Sequence, residues 1–398
     1  MTRTGSVGII LGCLLPLVCA SCGGLPSSPT ATSTERPTST VPGSPTPPPT
    51  REPSPPANTP TPTLPRLREA LRFERYGRLV KYSPDGRSLA VVPDLPPIEL
   101  ISARTGDTEA TFEVPDGITG MGGSQALAFS PDGGVLAIGG REARVDVWLT
   151  QDSSLLASVE LSTLFDYDPM DWFATVSDLA FVDQHTLLVS AWEDTGGLVM
   201  WDPITGHHTQ VFRKPVIDMA ALPRTDLVAL ATQPVGLFAE SDAPVVVFDL
   251  TARRIRLALF EDDPATRPPG GYPPSAFSVS VSPDGRLLAA VVEFRLRLWD
   301  LVENREIPFL TPEGLLFNQV RFSPAGRLAA VTSTRGNCIN WIWVTDDAIC
   351  ALSIWDTATW TVLAQVDAPG VTTIDFSPDG TELASGGWDQ VIHIWEVP

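Results

Sequence analysis

Short apolar runs recur from about residue 67 to the C-terminus, and they come in pairs. Ala126-Leu127-Ala128-Phe129 followed by Val135-Leu136-Ala137-Ile138 is typical. Runs this short, rich in β-branched and aromatic residues, predict strands rather than helices. The turn between paired runs is usually Ser-Pro-Asp-Gly, at 83–86, 130–133, 282–285 and 377–380, with Ser323-Pro324-Ala325-Gly326 differing by one residue. Pro presets φ at the second turn position, Asp tolerates the third, and Gly takes the left-handed position that closes a bulged hairpin. Two weaker copies fill the gaps, at Phe181-Val182-Asp183-Gln184 and Leu222-Pro223-Arg224-Thr225. The pattern predicts seven β-hairpins.

A second signature follows each hairpin. Its fullest form is Leu198-Val199-Met200-Trp201-Asp202-Pro203-Ile204-Thr205-Gly206. Related copies end at Trp148, Phe248-Asp249, Trp299-Asp300, Trp355-Asp356 and Trp395-Glu396, and the first degenerates to Leu100-Ile101-Ser102 but keeps Thr105-Gly106. With these residues the chain resembles the WD-repeat β-propeller family over about residues 67–398. The resemblance implies an all-β fold: a seven-bladed β-propeller of four-stranded antiparallel blades. Anchors at Ser83, Ser130, Val182, Leu222, Ser282, Ser323 and Ser377 lie 47, 52, 40, 60, 41 and 54 residues apart. The shortest intervals match a family unit of roughly 40–45 residues, and the longer ones carry insertions. After Ser377 only two more strands fit, so the last blade lacks its outer strand, and residues 67–76 are free to supply it and close the ring. The competing architecture is an open two-sheet sandwich.

One departure from the family concerns its buried hydrogen-bond network. Family blades often carry Gly-His ahead of the repeat, feeding a tetrad with Asp, Ser or Thr, and Trp. The four histidines here, His185, His207, His208 and His393, do not stand in that position. An acid precedes the strand Trp by six residues in three blades, at Glu142, Glu293 and Asp389. The expected network is partial, with more weight on apolar packing.

The family pattern also sorts the loops. One face of the disc carries the blade-to-blade connections and those between second and third strands. The short Ser-Pro-Asp-Gly and Trp-Asp-x-x-Thr-Gly turns lie opposite. The long segments 164–174, 261–275, 232–244, 335–350, 191–197 and 92–97 all map to the first face. Variable loops on one side of a rigid scaffold mark a binding surface. Candidate ligand-binding residues there are Tyr167, Asp168, Asp171, Trp172, Trp192, Asp194, Tyr272, Trp341, Trp343 and Asp346. Aromatics offer stacking platforms for sugars, and carboxylates beside them suit Lys- or Arg-bearing peptides. The alternative is that the aromatics pack the insertions onto the blades while the acids face water. Asp166-Tyr167-Asp168-Pro169-Met170-Asp171 also has oxygen ligands at alternate positions, as a calcium loop does, but lacks the Gly and terminal Glu of an EF-hand. His207-His208 reads as a solvated turn rather than a metal site.

The N-terminus is a different material. Arg3 and the apolar stretch 7–18 form an export signal, too short to remain as a membrane-spanning helix. Cys19-Ala20-Ser21-Cys22 resembles the lipobox of bacterial lipoproteins, which implies a signal peptide over 1–21, cleavage before Cys22 and acylation of Cys22. Cys19 stands where the lipobox prefers Leu, and cleavage after Ala20, giving a secreted protein, is the competing reading. Residues 22–66 then form a disordered linker, almost only Pro, Thr and Ser over 25–65. Such a segment is extended at ~3 Å per residue and buries too little to fold. The expected location is the cell envelope, outside the cytoplasm and held to a membrane by lipid alone. With the signal removed and Cys22 acylated, Cys338 and Cys350 remain, and an exported pair argues for a disulfide; two buried free thiols are the alternative.

The formal charge of −20 belongs mostly to the propeller. It disfavours nucleic acid as a partner and suits cationic ones. A Ser nucleophile elbow, a His–Cys pairing and a His-rich cluster are all missing from the sequence, so a non-catalytic module without cofactor or catalytic residues is expected, a monomeric domain binding a protein, peptide or glycan. An envelope-assembly scaffold is the runner-up, and a propeller enzyme of lactonase or quinoprotein type the third reading.

Overall fold

The alternation of short strands and tight turns folds as the pattern predicts. The structure is a computed structural model and describes residues 64–93, 96–114, 126–140, 144–165, 175–191, 196–233, 243–261, 274–309, 314–335 and 349–398. Its strands form seven four-stranded antiparallel sheets. In six of them the chain runs from the inner strand outward. The inner strands, in order, are Leu79–Tyr82, Ala126–Phe129, Val176–Phe181, Val216–Ala221, Ala276–Val281, Leu316–Phe322 and Val371–Phe376. Each touches the next, and the seventh touches the first, so the ring is closed. The fold is a seven-bladed β-propeller.

The seventh blade is finished by the N-terminal strand. Arg68–Phe73 pairs antiparallel with Ile392–Glu396, bringing Phe73 opposite Ile392 and Arg68 opposite Glu396. The preceding residues also dock. Leu67 N–H donates to Gln365 O (3.1 Å) and Gln365 N–H donates to Pro65 O (3.0 Å), on the outer strand of blade 6. Leu67 is buried among Ala364, Val366 and Trp395. The closing segment therefore seals both its own blade and the seam beside it.

The core is divided among the seams between adjacent blades. Among the described residues seven apolar clusters form, and each mixes residues of two neighbouring sheets. This explains the Trp of the repeat signature. Ile101, Trp148, Trp201, Phe248, Trp299, Trp355 and Trp395 each pack from a third strand into the seam with the preceding blade. The Asp that follows has a separate task. Asp202, Asp300 and Asp356 each accept two backbone N–H bonds in the turn beyond, as Asp300 does from Val302 (3.0 Å) and Glu303 (2.9 Å).

The Ser-Pro-Asp-Gly turn likewise divides its labour. The buried Ser donates to the Asp carboxylate, as Ser83 Oγ does to Asp85 Oδ1 (2.7 Å), and accepts from the N–H five residues on, as from Ser88 (3.0 Å). Gly133 sits at φ +74°, in the left-handed region. Pro reaches beyond its own turn. A Cβ built on Gly86, Gly133, Gly285, Gly326 or Gly380 would lie 3.1–3.9 Å from a proline of the preceding blade: Pro378, Pro84, Pro223, Pro283 and Pro324 respectively. Each proline thus packs on the next glycine to make a collar around the underside. Blade 3 lacks both residues. Its Gln184 amide instead donates to Asp132 Oδ1 (3.0 Å) and accepts from Asp132 N–H (3.3 Å) across the same kind of seam.

The buried polar network is partial, as the departure from Gly-His implies. Trp355 Nε1–H donates to Ser353 Oγ (2.7 Å) and Trp395 Nε1–H to Ser385 Oγ (2.8 Å). The buried Nε1 groups of Trp148 and Trp299 have no partner among the described residues. The acids six residues upstream do not supply one: Glu293 accepts from Ser275 N–H (2.7 Å), and Asp389 meets His393 (2.9 Å). Glu142 lies outside the described residues. Ser385 stands opposite His393, two before Trp395, and Ala290 stands opposite Arg297, two before Trp299. Ala290→Ser should therefore give Trp299 its acceptor. Differential scanning calorimetry should find the variant about 1 kcal/mol more stable, or about 2 °C higher in Tm. An unchanged or lower Tm would mean that the two registers are not equivalent.

Candidate functional site

Antiparallel strands fix which connections share a face. Turns between first and second and between third and fourth strands lie at one end of every blade. Connections between second and third strands, and between blades, lie at the other. The first set is short and fully described. Within the propeller, all nine segments outside the described residues (94–95, 115–125, 141–143, 166–174, 192–195, 234–242, 262–273, 310–313 and 336–348) occur in the second set. Tyr167, Asp168, Asp171, Trp172, Trp192, Asp194, Tyr272, Trp341, Trp343 and Asp346 all lie outside the described residues, as do the calcium-like stretch 166–171, Cys22 and Cys338. Cys350, at the start of the third strand of blade 6, is disulfide-bonded.

The described part of this face carries charged and aromatic pairs that sequence reasoning passed over. The Arg78 guanidinium lies 4.5 Å above the Trp388 ring, joining the connection into blade 1 to a turn of blade 7. Phe277 and Phe294 stack at 4.7 Å on blade 5. Arg75 Nη1 pairs with Glu99 Oε2 (2.7 Å). Arg75, Arg78, Phe294 and Trp388 stand in short connections and Glu99 and Phe277 near strand ends, so segment length does not mark them.

Beneath the face, the inner strands that surround the central channel carry Lys81, Asp178, Asp218, Arg321 and Asp375. An inner strand is a sheet edge, and its outward N–H groups need partners. The preceding blade supplies them. Asp178 Oδ2 accepts from Met219 N–H (3.0 Å), Asp218 Oδ2 from Val279 N–H (2.8 Å), and Ser278 Oγ from Val320 N–H (3.3 Å). One register lower, Ser280 Oγ accepts from Phe322 N–H (3.0 Å), and Asp375 Oδ2 from Tyr82 N–H (2.8 Å). The ladder slips by one residue just before Asp178, Asp218, Ser278, Gln319 and Thr373, in blades 3 to 7. Bulges re-aim side chains in this way. Here they turn an oxygen toward the neighbouring blade in three consecutive seams.

The charges interlock as well. Arg321 makes two bonds to Asp218, Nη1 to Oδ2 (2.9 Å) and Nη2 to Oδ1 (3.2 Å), and a third to Ser278 Oγ (2.9 Å). Burial, and then the negative charge of Asp218, push the Asp178 carboxyl up to about 7 against the opposing pull of Lys81 and Arg321. Burial also raises Asp375. Burial opposes the Arg321 charge, but the Asp218 carboxylate outweighs it and leaves the guanidinium pKa above its ordinary value. Among the described residues no group of three or more His, Cys, Asp or Glu is placed to hold a metal ion. The acids of the channel serve its neighbouring strands.

Comparison with known proteins agrees with this architecture. The family model described as "WD domain, G-beta repeat" matches residues 360–396. That stretch runs from the end of blade 6 through the third strand of blade 7, so the sequence repeat is offset from the blade. The chain is 25% identical over 286 residues to a guanine nucleotide-binding protein subunit beta of Zea mays, covering 68% of each chain. It is 30% identical over 103 residues to guanine nucleotide-binding protein subunit beta-5b of Danio rerio, which is 25% of this chain and 22% of that protein. Among solved structures, the β-propeller domain of Cps50 (Swd1) from Myceliophteria thermophila superposes with a TM-score of 0.61 at 16% identity, over 83% of this chain and all of that one. Together these matches support a WD-repeat β-propeller.

Proposed function

We propose that the protein is a non-catalytic recognition module displayed outside the cytoplasmic membrane, binding a protein, peptide or glycan on its loop-rich face. The observation that carries this reading is the one-sided distribution of chain length. The underside is built of short turns, five of the seven hairpin turns sharing a nearly fixed sequence, and the long segments all fall opposite. WD-repeat propellers similar to this chain support a scaffold that binds proteins. The aromatic and acidic residues of 164–174, 191–197, 261–275 and 335–350 are the contact residues in this proposal, with Cys338 bridged to Cys350 to brace the longest insertion. Acylated Cys22 and the linker to residue 66 place the module at a membrane, and Cys22→Ser should release it to the soluble fraction and abolish labelling by radioactive palmitate. Labelling that survives the substitution would remove the lipid anchor.

The test of the binding face uses residues 62–398, immobilised and offered solubilised envelope proteins and glycans. Replacing 166–174 or 336–348 by a Gly-Ser segment of equal length should abolish retention of the natural partner. Gly133→Ala, which forces a side chain into a left-handed position on the underside, should cost about 1–2 kcal/mol of stability and leave retention intact. Retention lost with Gly133→Ala and kept with both replacements would assign recognition to the underside.

A further inference from the structure

The histidine of the last blade sits on the seam that closes the ring. His393 Nδ1 lies 2.5 Å from Glu69 Oε1 on the closing strand, and Nε2 lies 2.9 Å from Asp389 Oδ2 in the turn before its own strand. The Trp395 ring stacks beside it, with centroids 5.1 Å apart and planes at 18°. The His393 side chain is 14% exposed. An ionised carboxylate accepts hydrogen bonds and cannot donate them, so both ring nitrogens must carry a proton to satisfy both partners. Only imidazolium does so. A neutral ring keeps one bond and turns a lone pair toward the other carboxylate.

The remaining groups packed around the ring have partners of their own. Arg72, opposite His393 in the ladder, pairs with Glu74 (2.9 Å), and Arg68 pairs with Glu396 (3.1 Å) at the end of the strand. Ser385, on the adjacent strand, is the acceptor for Trp395 Nε1–H.

We propose that His393 is a protonation-dependent clasp on the ring closure. Charged, it ties the closing strand through Glu69 to the loop-face turn through Asp389. Neutral, it releases one of them. The strand it holds is the one by which residues 22–66 join the propeller, so pH would act at that junction while leaving the other seams alone. Burial acts to lower the His393 pKa, but the hydrogen bonds to Asp389 and Glu69 outweigh it and hold the value above the ordinary 6.5. A raised folded-state pKa means that the clasp is complete below that ordinary value and is lost as pH rises through the folded one.

The test is a pH series on the full chain, between about pH 5.5 and 8.5. The His393 ring is followed by NMR, and amide exchange of 68–73 is followed relative to 227–232 in blade 4. The reference strand removes intrinsic base catalysis, and the titrating carboxyls of Asp178 and Asp375 cap inner strands, at Met219 and Tyr82, rather than the closing strand. The expected results are a His393 midpoint above 6.5 and a loss of protection confined to the closing strand as that midpoint is passed. Glu69→Gln, which keeps an acceptor and removes the charge, should move the midpoint down and shrink the pH-dependent loss. His393→Gln should make closing-strand protection independent of pH. A midpoint at or below 6.5, or a closing strand that stays in step with blade 4 throughout, would overturn the proposal.

Discussion

A chain that begins at Glu74 is expected to lose its cooperative unfolding transition, whereas one that begins at Pro62 keeps it. The compact unit runs from Pro62 to the C-terminus, so the second truncation leaves that unit whole. The first removes the outer strand of blade 7. It bares the edge of Ile392–Glu396, strips Leu67 from the seam between blades 6 and 7, and takes Leu71 and Phe73 from the seam between blades 7 and 1. Full burial of such a side chain is worth roughly 1.5–3 kcal/mol, which applies to Leu67, while the half-buried Leu71 and Phe73 contribute less each. Their loss would consume much of a typical net stability of about 5–15 kcal/mol. An open sheet edge also invites pairing with other chains. Size-exclusion chromatography should accordingly show aggregates for the shorter chain and a monomer for the longer. A monomeric shorter chain with an unchanged urea midpoint would mean that the ring closes without its N-terminal strand.

Asp218→Ala should be the most destabilising single substitution in the channel. One carboxylate there serves the Val279 N–H and both arms of the Arg321 guanidinium. Removing it leaves a charge without its partner, which in a buried pair costs about 3–5 kcal/mol. The Asp218 side chain is 10% exposed and that of Arg321 32%, so water in the channel recovers part of the loss and places the effect near the lower end. Arg321→Met should cost less, because Asp218 keeps its backbone donor. Urea denaturation of both variants and of the double mutant gives the coupling directly. A cost below about 1 kcal/mol for Asp218→Ala would show that the pair carries no more than an exposed one.

The fold was legible because its information is local and repeated. Seven turns and seven third-strand residues at regular offsets specify hairpins, and the short C-terminus with an unassigned strand at 67–76 specifies closure. The same signature also explains its own exceptions. Ile101 and Phe248 replace Trp without breaking a seam, since the position requires an apolar wedge rather than an indole. Other features were not legible because they depend on residues far apart in sequence. Nothing in Pro84 announces that it packs on Gly133, and nothing in Asp178 announces that a one-residue slip will aim it at Met219. Gln184 looked like an eroded turn residue until its amide met Asp132 across the seam. The loop face was legible as a location through segment lengths. Arg78 and Trp388 escaped notice because a cation over a ring leaves no spacing pattern.

A binding face is only as precise as the scaffold that holds it, so the closed inner ring carries the functional reading with it. Hydrogen exchange at the amides of Tyr82, Met219, Val279, Val320 and Phe322 tests that ring most directly. All five point away from their own sheets and are capped by a side chain of the preceding blade. They should exchange as slowly as the ladder amides of the same strands, through global unfolding alone. Exchange at the rate of free edge amides, while the ladders stay protected, would contradict a ring held shut from blade to blade.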